Sequence, residues 1–362
     1  MSVNSDNEIT IKGSYGEGGG QIVRSSMALS AITGRDIHIY RVRAGRSKPG
    51  LKRQHLTAVR AVAEICDGEL EGDQLQSAEL RFRPGSVTPG EYRFSVGSAG
   101  SAMLVLQTVL PPLLTSGGPS TIHVEGGTHN DWVPSFDFIN RVYLPLIRRM
   151  GPDVTATLND YGFYPAGGGR VTVQINPVPA LSGFDLTESG RVQGQVVRAV
   201  SSGLPAHVGE RETQRVVRRL NWRAEEENLS VPSAGPGNFL CAEIRCQHIT
   251  ELFSAVGRKG VRAEKVADSV IRQVKTWKKS GAPVGEYLAD QLILPFALSA
   301  AMHGSAEARG IRRGGSFVTG PLSEHAKTQI WLLHRFLKLR MEVNEHDGRV
   351  TLTFEPPDPS ID

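Results

Sequence analysis

Ile9-Thr10-Ile11-Lys12-Gly13-Ser14-Tyr15-Gly16-Glu17-Gly18-Gly19-Gly20-Gln21-Ile22-Val23-Arg24 takes a short alternating strand through a glycine-rich turn into a helix. The helix is expected over residues 20–32 and to stop at Gly34, because glycine accepts the left-handed conformation that ends helices. Residues 36–42 alternate as a strand. Arg53 to Cys66 puts Leu56, Val59, Val62 and Ala63 on one side of a second helix, and strands at Leu70 and residues 80–82 close the unit. The order strand–helix–strand–helix–strand–strand then recurs. A second copy starts near Tyr92, with helices at 98–110 and 136–150 and strands at 121–124, 154–158 and 171–175. A third has helices at 288–302 and 325–339, extended stretches at 306–310 and 316–318, and a terminal hairpin of 342–344 with 350–354.

Residues 190–279, between the second and third copies, differ in character and carry more charge. They hold a strand at 196–201, a charged helix at 210–225, a long bent strand at 239–253 and a helix at 263–278. The expected fold class is α+β, with repeated βαβαββ units forming a large domain and a smaller α/β domain inserted. Residues 1–186 would hold the first two repeats, 187–279 the insert, and 280–362 the third repeat.

At 362 residues the chain exceeds one ordinary core, as a repeated architecture requires. Its 40 glycines cluster, as in Gly18-Gly19-Gly20 and Gly167-Gly168-Gly169, which suits tight turns and bare backbone near a ligand rather than a flexible linker. The net charge of +4 is mild, so any anionic partner must be met by local clusters. Cys66, Cys241 and Cys246 are odd in number and lack a C-x-x-C pair, which argues against a disulfide scaffold and for a reducing, cytoplasmic setting. Cys241, Cys246 and His248 read better as an alternating strand than as zinc ligands, since a second ligand pair is missing. Residues 1–7 have neither a basic nor an apolar signal region. The apolar run 103–114 is broken by Gln107, Pro111 and Pro112, so no membrane partner is expected.

Several constellations offer chemistry. Glycines 16 and 18–20 lead into a helix start whose amides favour an anion; Gln21 and Arg24 share one helix face, and Glu17 would tolerate phosphate through a divalent cation. A solvated turn is the alternative. Arg43, Arg46, Lys48, Lys52, Arg53 and His55 form a basic loop suited to phosphate oxygens or simply to solvent. Residues 97–101 precede an apolar helix in which Gln107 needs a polar partner. Asp290 and Gln291 are the strongly polar groups opening another apolar helix. Ser323 is a cap that puts His325 in a helical first turn, where the positive helix end keeps an imidazole neutral and attracts phosphate; an ordinary surface histidine is the other possibility.

Together these segments resemble the RNA 3'-terminal phosphate cyclase family, from Gly13 to about Phe354. The resemblance lies in Gly13-Ser14-Tyr15-Gly16-Glu17-Gly18-Gly19-Gly20-Gln21-Ile22-x-Arg24, in Gly162-x-x-Pro165-x-Gly167-Gly168-Gly169, in Tyr287-Leu288-Ala289-Asp290-Gln291 and in Ser323-Glu324-His325-x-x-Thr328. The glycine signature usually opens on Arg or His, and Tyr161 stands there. The family fold, three βαβαββ units with a smaller related unit inserted, agrees with the repeats above.

The resemblance implies an ATP-dependent enzyme acting on RNA with a 3'-phosphate end, in which His325 takes AMP from ATP and passes it to the RNA phosphate before a 2',3'-cyclic phosphate closes. It assigns Glu17 to a divalent cation (Mg²⁺ or Mn²⁺), with Asp290 as a second candidate, and Gln21 and Arg24 to the phosphates. Tyr287 and Pro134 would sandwich the adenine beside Phe138, with Gln107, Leu288, Ala289, Asp290 and Gln291 around the nucleotide. Arg43, Arg46, Gln54 and His55 are candidates for the RNA phosphate. Rival readings are a non-catalytic relative serving in ribosome assembly, an enolpyruvyl-transferase-like enzyme sharing βαβαββ units, and a plain RNA-binding module.

Overall fold

A computed structural model describes residues 7–301 and 310–358. The first repeat is β1 (Ile9–Lys12), α1 (Gly20–Thr33), β2 (Ile37–Tyr40), α2 (Arg53–Cys66), β3 (Glu69–Glu71) and β4 (Glu79–Arg83). β1 and β2 are parallel, β4 joins antiparallel to both β2 and β3, and the sheet order is β1-β2-β4-β3. The second repeat is β5 (Glu91–Ser95), α3 (Ala102–Leu113), β6 (Ser120–Gly126), α4 (Phe136–Phe138), a π-helical turn (Ile139–Tyr143), α5 (Leu144–Arg149), β7 (Asp153–Asp160) and β8 (Gly169–Asn176). Its order, β5-β6-β8-β7, copies that of the first.

The chain then makes β9 (Asp185–Leu186) and departs into a separate four-stranded unit: β10 (Val192–Ser202), α6 (His207–Leu220), β11 (Glu225–Ser230), β12 (Gly237–Cys246), β13 (Thr250–Val256) and α7 (Ala263–Ser280), with sheet order β11-β10-β12-β13. It returns as α8 (Glu286–Ala301), β14 (Gly315–Thr319), α9 (Glu324–Phe336), β15 (Arg340–His346) and β16 (Arg349–Glu355). β9 pairs in parallel with β14, so the third sheet, β15-β16-β14-β9, takes its edge strand from before the departure. The smaller unit therefore interrupts the third repeat after its first strand.

Local chemistry accounts for the main differences from expectation. The bent strand at 239–253 is the hairpin β12–β13, because Gln247 and His248 break the apolar alternation and Cys246 N–H closes onto the Ile249 carbonyl at 2.8 Å. β11 was hidden in the acidic run Glu225-Glu226-Glu227, which pairs with β10 opposite Val196, Val197 and Arg198. The helix at 98–110 starts later, where the Ser101 hydroxyl accepts the Leu104 N–H at 3.3 Å. The helix at 136–150 contains the π turn, and the charged helix ends at Leu220, not at 225. Residues 306–309 of the extended stretch at 306–310, and the last residue of the helix at 288–302, lie outside the described residues.

One face of the smaller sheet carries Val197, Ala199, Leu240, Ala242 and Ile244, all buried; the other carries Arg198, Phe239 and Glu243. Phe239 meets His129 of the second repeat edge-on at 4.7 Å, which places this second face against the second repeat. In the third repeat Phe296 packs edge-on against Phe184 at 4.9 Å and Phe317 at 5.2 Å. All three cysteines are buried and free. Among the described residues no helix is long and apolar enough to cross a membrane.

The interrupted repeat closes through a backbone contact. Gly183 N–H donates to the Arg312 carbonyl at 2.7 Å, and a Cβ on Gly183 would lie 1.4 Å from the Gly314 carbonyl oxygen. Gly183→Ala is therefore expected to cost about 1–3 kcal/mol, the scale of overpacking a tight core site. A urea unfolding midpoint equal to that of the parent protein would contradict the split third repeat.

Candidate active site

The glycine-rich turn of the first repeat and the start of α9 in the third come together although they are some 300 positions apart in sequence. Glu17 N–H donates to the Thr328 hydroxyl at 3.1 Å, and that hydroxyl donates to the Glu324 carbonyl at 2.6 Å. Gly16 sits at φ 56°, and a Cβ there would fall 2.2 Å from the Thr328 hydroxyl oxygen, so only glycine lets the turn dock. Tyr15 stacks on Trp331 with ring centres 4.0 Å apart, fixing the turn from the other side.

This docking controls His325. Ser25 Oγ donates to Gln329 Oε1 at 2.7 Å, and Gln21 Nε2 donates to the same oxygen at 3.3 Å. The Gln21 amide is thus oriented with Oε1 toward His325 Nδ1, at 2.7 Å. An amide oxygen only accepts, so the network assigns the proton to Nδ1 and leaves the Nε2 lone pair free. His325 is the second residue of α9, whose cap is Ser323: its hydroxyl accepts Ala326 N–H at 2.9 Å. Desolvation first, then the charges of Arg24 and Arg46, hold the His325 pKa below its ordinary value. The site therefore offers a half-exposed imidazole, neutral and with one nitrogen directed.

The surrounding cations divide into used and available groups. Arg24 is half-buried and forms no hydrogen bond or ion pair among the described residues; burial pulls its pKa down to about 10. A desolvated cation without a partner is costly, and an anion beside it relieves the cost. Arg46 pairs with the Glu17 carboxylate and donates to the Glu17 carbonyl at 3.0 Å. Arg43 is buried, with Nη1 donating to the Lys48 and Gly50 carbonyls at 2.8 and 2.7 Å; it closes the basic loop. His55 is buried too. Its Nδ1 accepts Lys52 N–H at 3.2 Å, and burial, then Arg24, Arg43 and Lys52, depress its pKa to about 3. Gln54 Oε1 accepts Ser101 N–H at 3.2 Å, joining the basic loop to the start of α3.

On the α8 side, Asp290 accepts the Ser323 hydroxyl at 2.6 Å, and burial, reinforced by Glu286, lifts its pKa to about 7. Gln107 Nε2 donates to Gln291 Oε1, a direct link between α3 and α8. Leu288 and Ala289 are buried, which leaves only their backbone for a ligand, whereas Tyr287 is exposed. Pro134 is half-buried and Phe138 is buried at the start of the segmented helix.

Among the described residues no group of three or more His, Cys, Asp or Glu side chains is placed to hold a metal ion. Glu17 near His325 Nδ1, at 3.9 Å, is a single carboxylate. That donor set suits a hard cation taking its remaining ligands from phosphate oxygens and water rather than a dedicated cage. Four residues escaped the sequence. Gln329 gave no signal beyond being a polar residue four positions after His325 on an apolar stripe. The buried trio His129, Asp137 and Arg198 is scattered over 70 positions of chain.

A family model described as RNA 3'-terminal phosphate cyclase matches residues 15–343. A protein of Ectopseudomonas mendocina named RNA 3'-terminal phosphate cyclase is 44% identical, covering 92% of this chain and 94% of its own. Proteins of the same name from Salmonella agona and Salmonella paratyphi C are 46% and 45% identical, covering 93% and 97% of this chain and 94% and 98% of theirs.

The electrostatics make a direct prediction. An NMR titration of metal-free protein should give His325 a midpoint below the ordinary imidazole value of about 6.5. Arg46→Ala should raise it, because the change removes a positive charge and frees the Glu17 carboxylate. A wild-type midpoint above that value, or none of this movement in the variant, would contradict the site as described.

Proposed function

The chain belongs to the RNA 3'-terminal phosphate cyclase family, and we propose that it uses ATP to close RNA 3'-phosphate ends into 2',3'-cyclic phosphates, with His325 carrying AMP in between. Gln21 holds the Nδ1 proton, and His325 Nε2 attacks the α-phosphorus of ATP. The bond to the β-phosphate breaks, pyrophosphate leaves, and AMP is joined to nitrogen. An oxygen of the RNA 3'-phosphate then attacks that phosphorus, freeing the imidazole and forming an RNA–AMP diphosphate. The vicinal 2'-hydroxyl attacks the RNA phosphorus and gives up its proton, and AMP departs as the ring closes. Each step exchanges one phosphorus bond for another, and the covalent intermediate divides one difficult displacement into easier ones.

The remaining residues bind and orient. Arg24, desolvated and unpaired among the described residues, is the cation for the triphosphate, and Gln21 lies along the same helix face. Glu17 would hold a divalent cation, Mg²⁺ or Mn²⁺, which when bound neutralises charge on the phosphates. Tyr287 and Pro134 flank the adenine with Phe138 behind, while Gln107, Asp290 and Gln291 order the wall between α3 and α8. Arg46 and Gln54 face the RNA end; Arg43 and His55 shape the loop that carries them. The observation that carries this reading is the hydrogen-bond chain from Gln329 through Gln21 to His325, since it directs one ring nitrogen outward.

Protein incubated with ATP labelled at the α-phosphate and a divalent cation, without RNA, should retain an acid-labile label. Adding RNA with a 3'-phosphate should discharge it and yield the cyclic end. His325→Ala should abolish the label and lower cyclisation by on the order of 10³-fold or more, as loss of a nucleophile does. Equal labelling of the variant would overturn the assignment.

A further inference from the structure

Among the contacts between the smaller unit and the large domain, two reach the segments that carry Pro134 and Tyr287, the proposed walls of the base site. Asp137, between Phe136 and Phe138 and three residues past Pro134, is buried. It accepts from His129 Nε2 at 2.8 Å, Arg141 Nε at 3.2 Å and Arg198 Nη1 at 3.2 Å. Burial pushes its pKa up, but the His129 hydrogen bond and the charges of His129, Arg198 and Arg141 outweigh this and keep it ionised. Arg198 comes from β10 and is itself buried; its Nε donates to Glu227 of β11. Arg141 reaches Glu243 of β12 at 3.5 Å. The Pro134–Phe138 segment thus hangs on a buried ionic network rooted in the smaller sheet.

The second contact reaches the segment that carries Tyr287. Glu251 of β13 is buried, and its Oε1 accepts the Gly285 N–H at 2.6 Å. Gly285 precedes α8, and its carbonyl accepts the Ala289 N–H at 2.9 Å. The first amides of a helix lack partners within it. One of them is satisfied here by a carboxyl oxygen delivered from the other unit, and a Cβ on Gly285 would lie 3.2 Å from both Glu251 oxygens. The direction of α8 at Tyr287 is therefore set against β13.

We propose that the smaller unit is a brace for base recognition: Arg198 positions the Pro134–Phe138 wall through Asp137, Glu251 positions the Tyr287 wall through the Gly285 amide, and the rigid sheet joining them sets the spacing that admits adenine. This rests on the reading above that Pro134 and Tyr287 flank the base. Arg198 and Glu251 act through other residues and touch neither nucleotide nor RNA.

The test is RNA-independent self-adenylation of the full chain with ATP and with GTP. Glu251→Ala and Arg198→Met should each raise the half-saturating ATP concentration about fivefold or more, the scale of coupling carried by such contacts, with the maximal rate nearly unchanged. They should also bring the GTP-to-ATP ratio of half-saturating concentrations toward unity, which loss of stability alone would not do. Glu251→Gln keeps an acceptor for Gly285 and should restore both values. If either deletion variant fails to fold, Arg198→Lys, which loses the guanidinium fork, should move the ratio in the same direction. Tyr287→Ala is the control for the underlying reading. If it weakens ATP use while the brace variants retain both the affinity and the ratio of the parent, the brace is refuted alone. If Tyr287→Ala changes nothing, the base-site reading falls and the brace with it.

Discussion

The hydrogen bond between Gln21 and His325, 2.7 Å long and spanning 304 positions of sequence, is the contact on which the rest depends. It exists only because the first and third repeats dock through Glu17, Thr328 and Gln329. Neither repeat holds a complete site. The first supplies the glycine turn, Gln21 and Arg24; the third supplies His325 on a capped helix and, through α8, the Asp290–Ser323 pair. A repeated fold gains chemistry here by bringing unlike residues to one seam.

The electrostatics at this seam favour an incoming anion. Arg24 and Arg46 disfavour protonation of His325, and His55 is driven to about 3 by burial, then by Arg24, Arg43 and Lys52. Both imidazoles are neutral, one as a buried structural acceptor and the other with a lone pair facing outward. Glu17, the carboxylate nearest His325, is occupied by Arg46. In the proposed reaction an arriving triphosphate would exchange that pair for new ones, which makes binding a replacement of charge partners rather than a burial of bare charge.

Much of this was legible in the sequence, for physical reasons. α1 and α2 were readable because apolar residues recur at helical spacing up to Gly34 and Asp67, both in left-handed conformations that end helices. The cap at Ser323 placed His325 in the first turn. The hidden parts are those where tertiary pairing overrides local pattern. β9 has two residues and exists only by pairing with β14 across the smaller unit. β11 is an acidic run made into a strand by its neighbour, with Glu227 answering Arg198. Arg43 and His55 look like phosphate ligands in a list of charges, and the structure adds that both are buried and hydrogen-bonded within the loop. Type and spacing reveal which side chains can do chemistry; only the fold reveals which of them are already engaged.

The central claim is that the seam leaves one nitrogen of His325 free to hold AMP. Tandem mass spectrometry of the protein after incubation with ATP and Mg²⁺, under neutral to alkaline conditions that preserve a phosphoramidate, tests it most directly. The account predicts AMP on His325 and on no other residue. AMP on a lysine, on His55 or on any other side chain, with His325 unmodified, would contradict it.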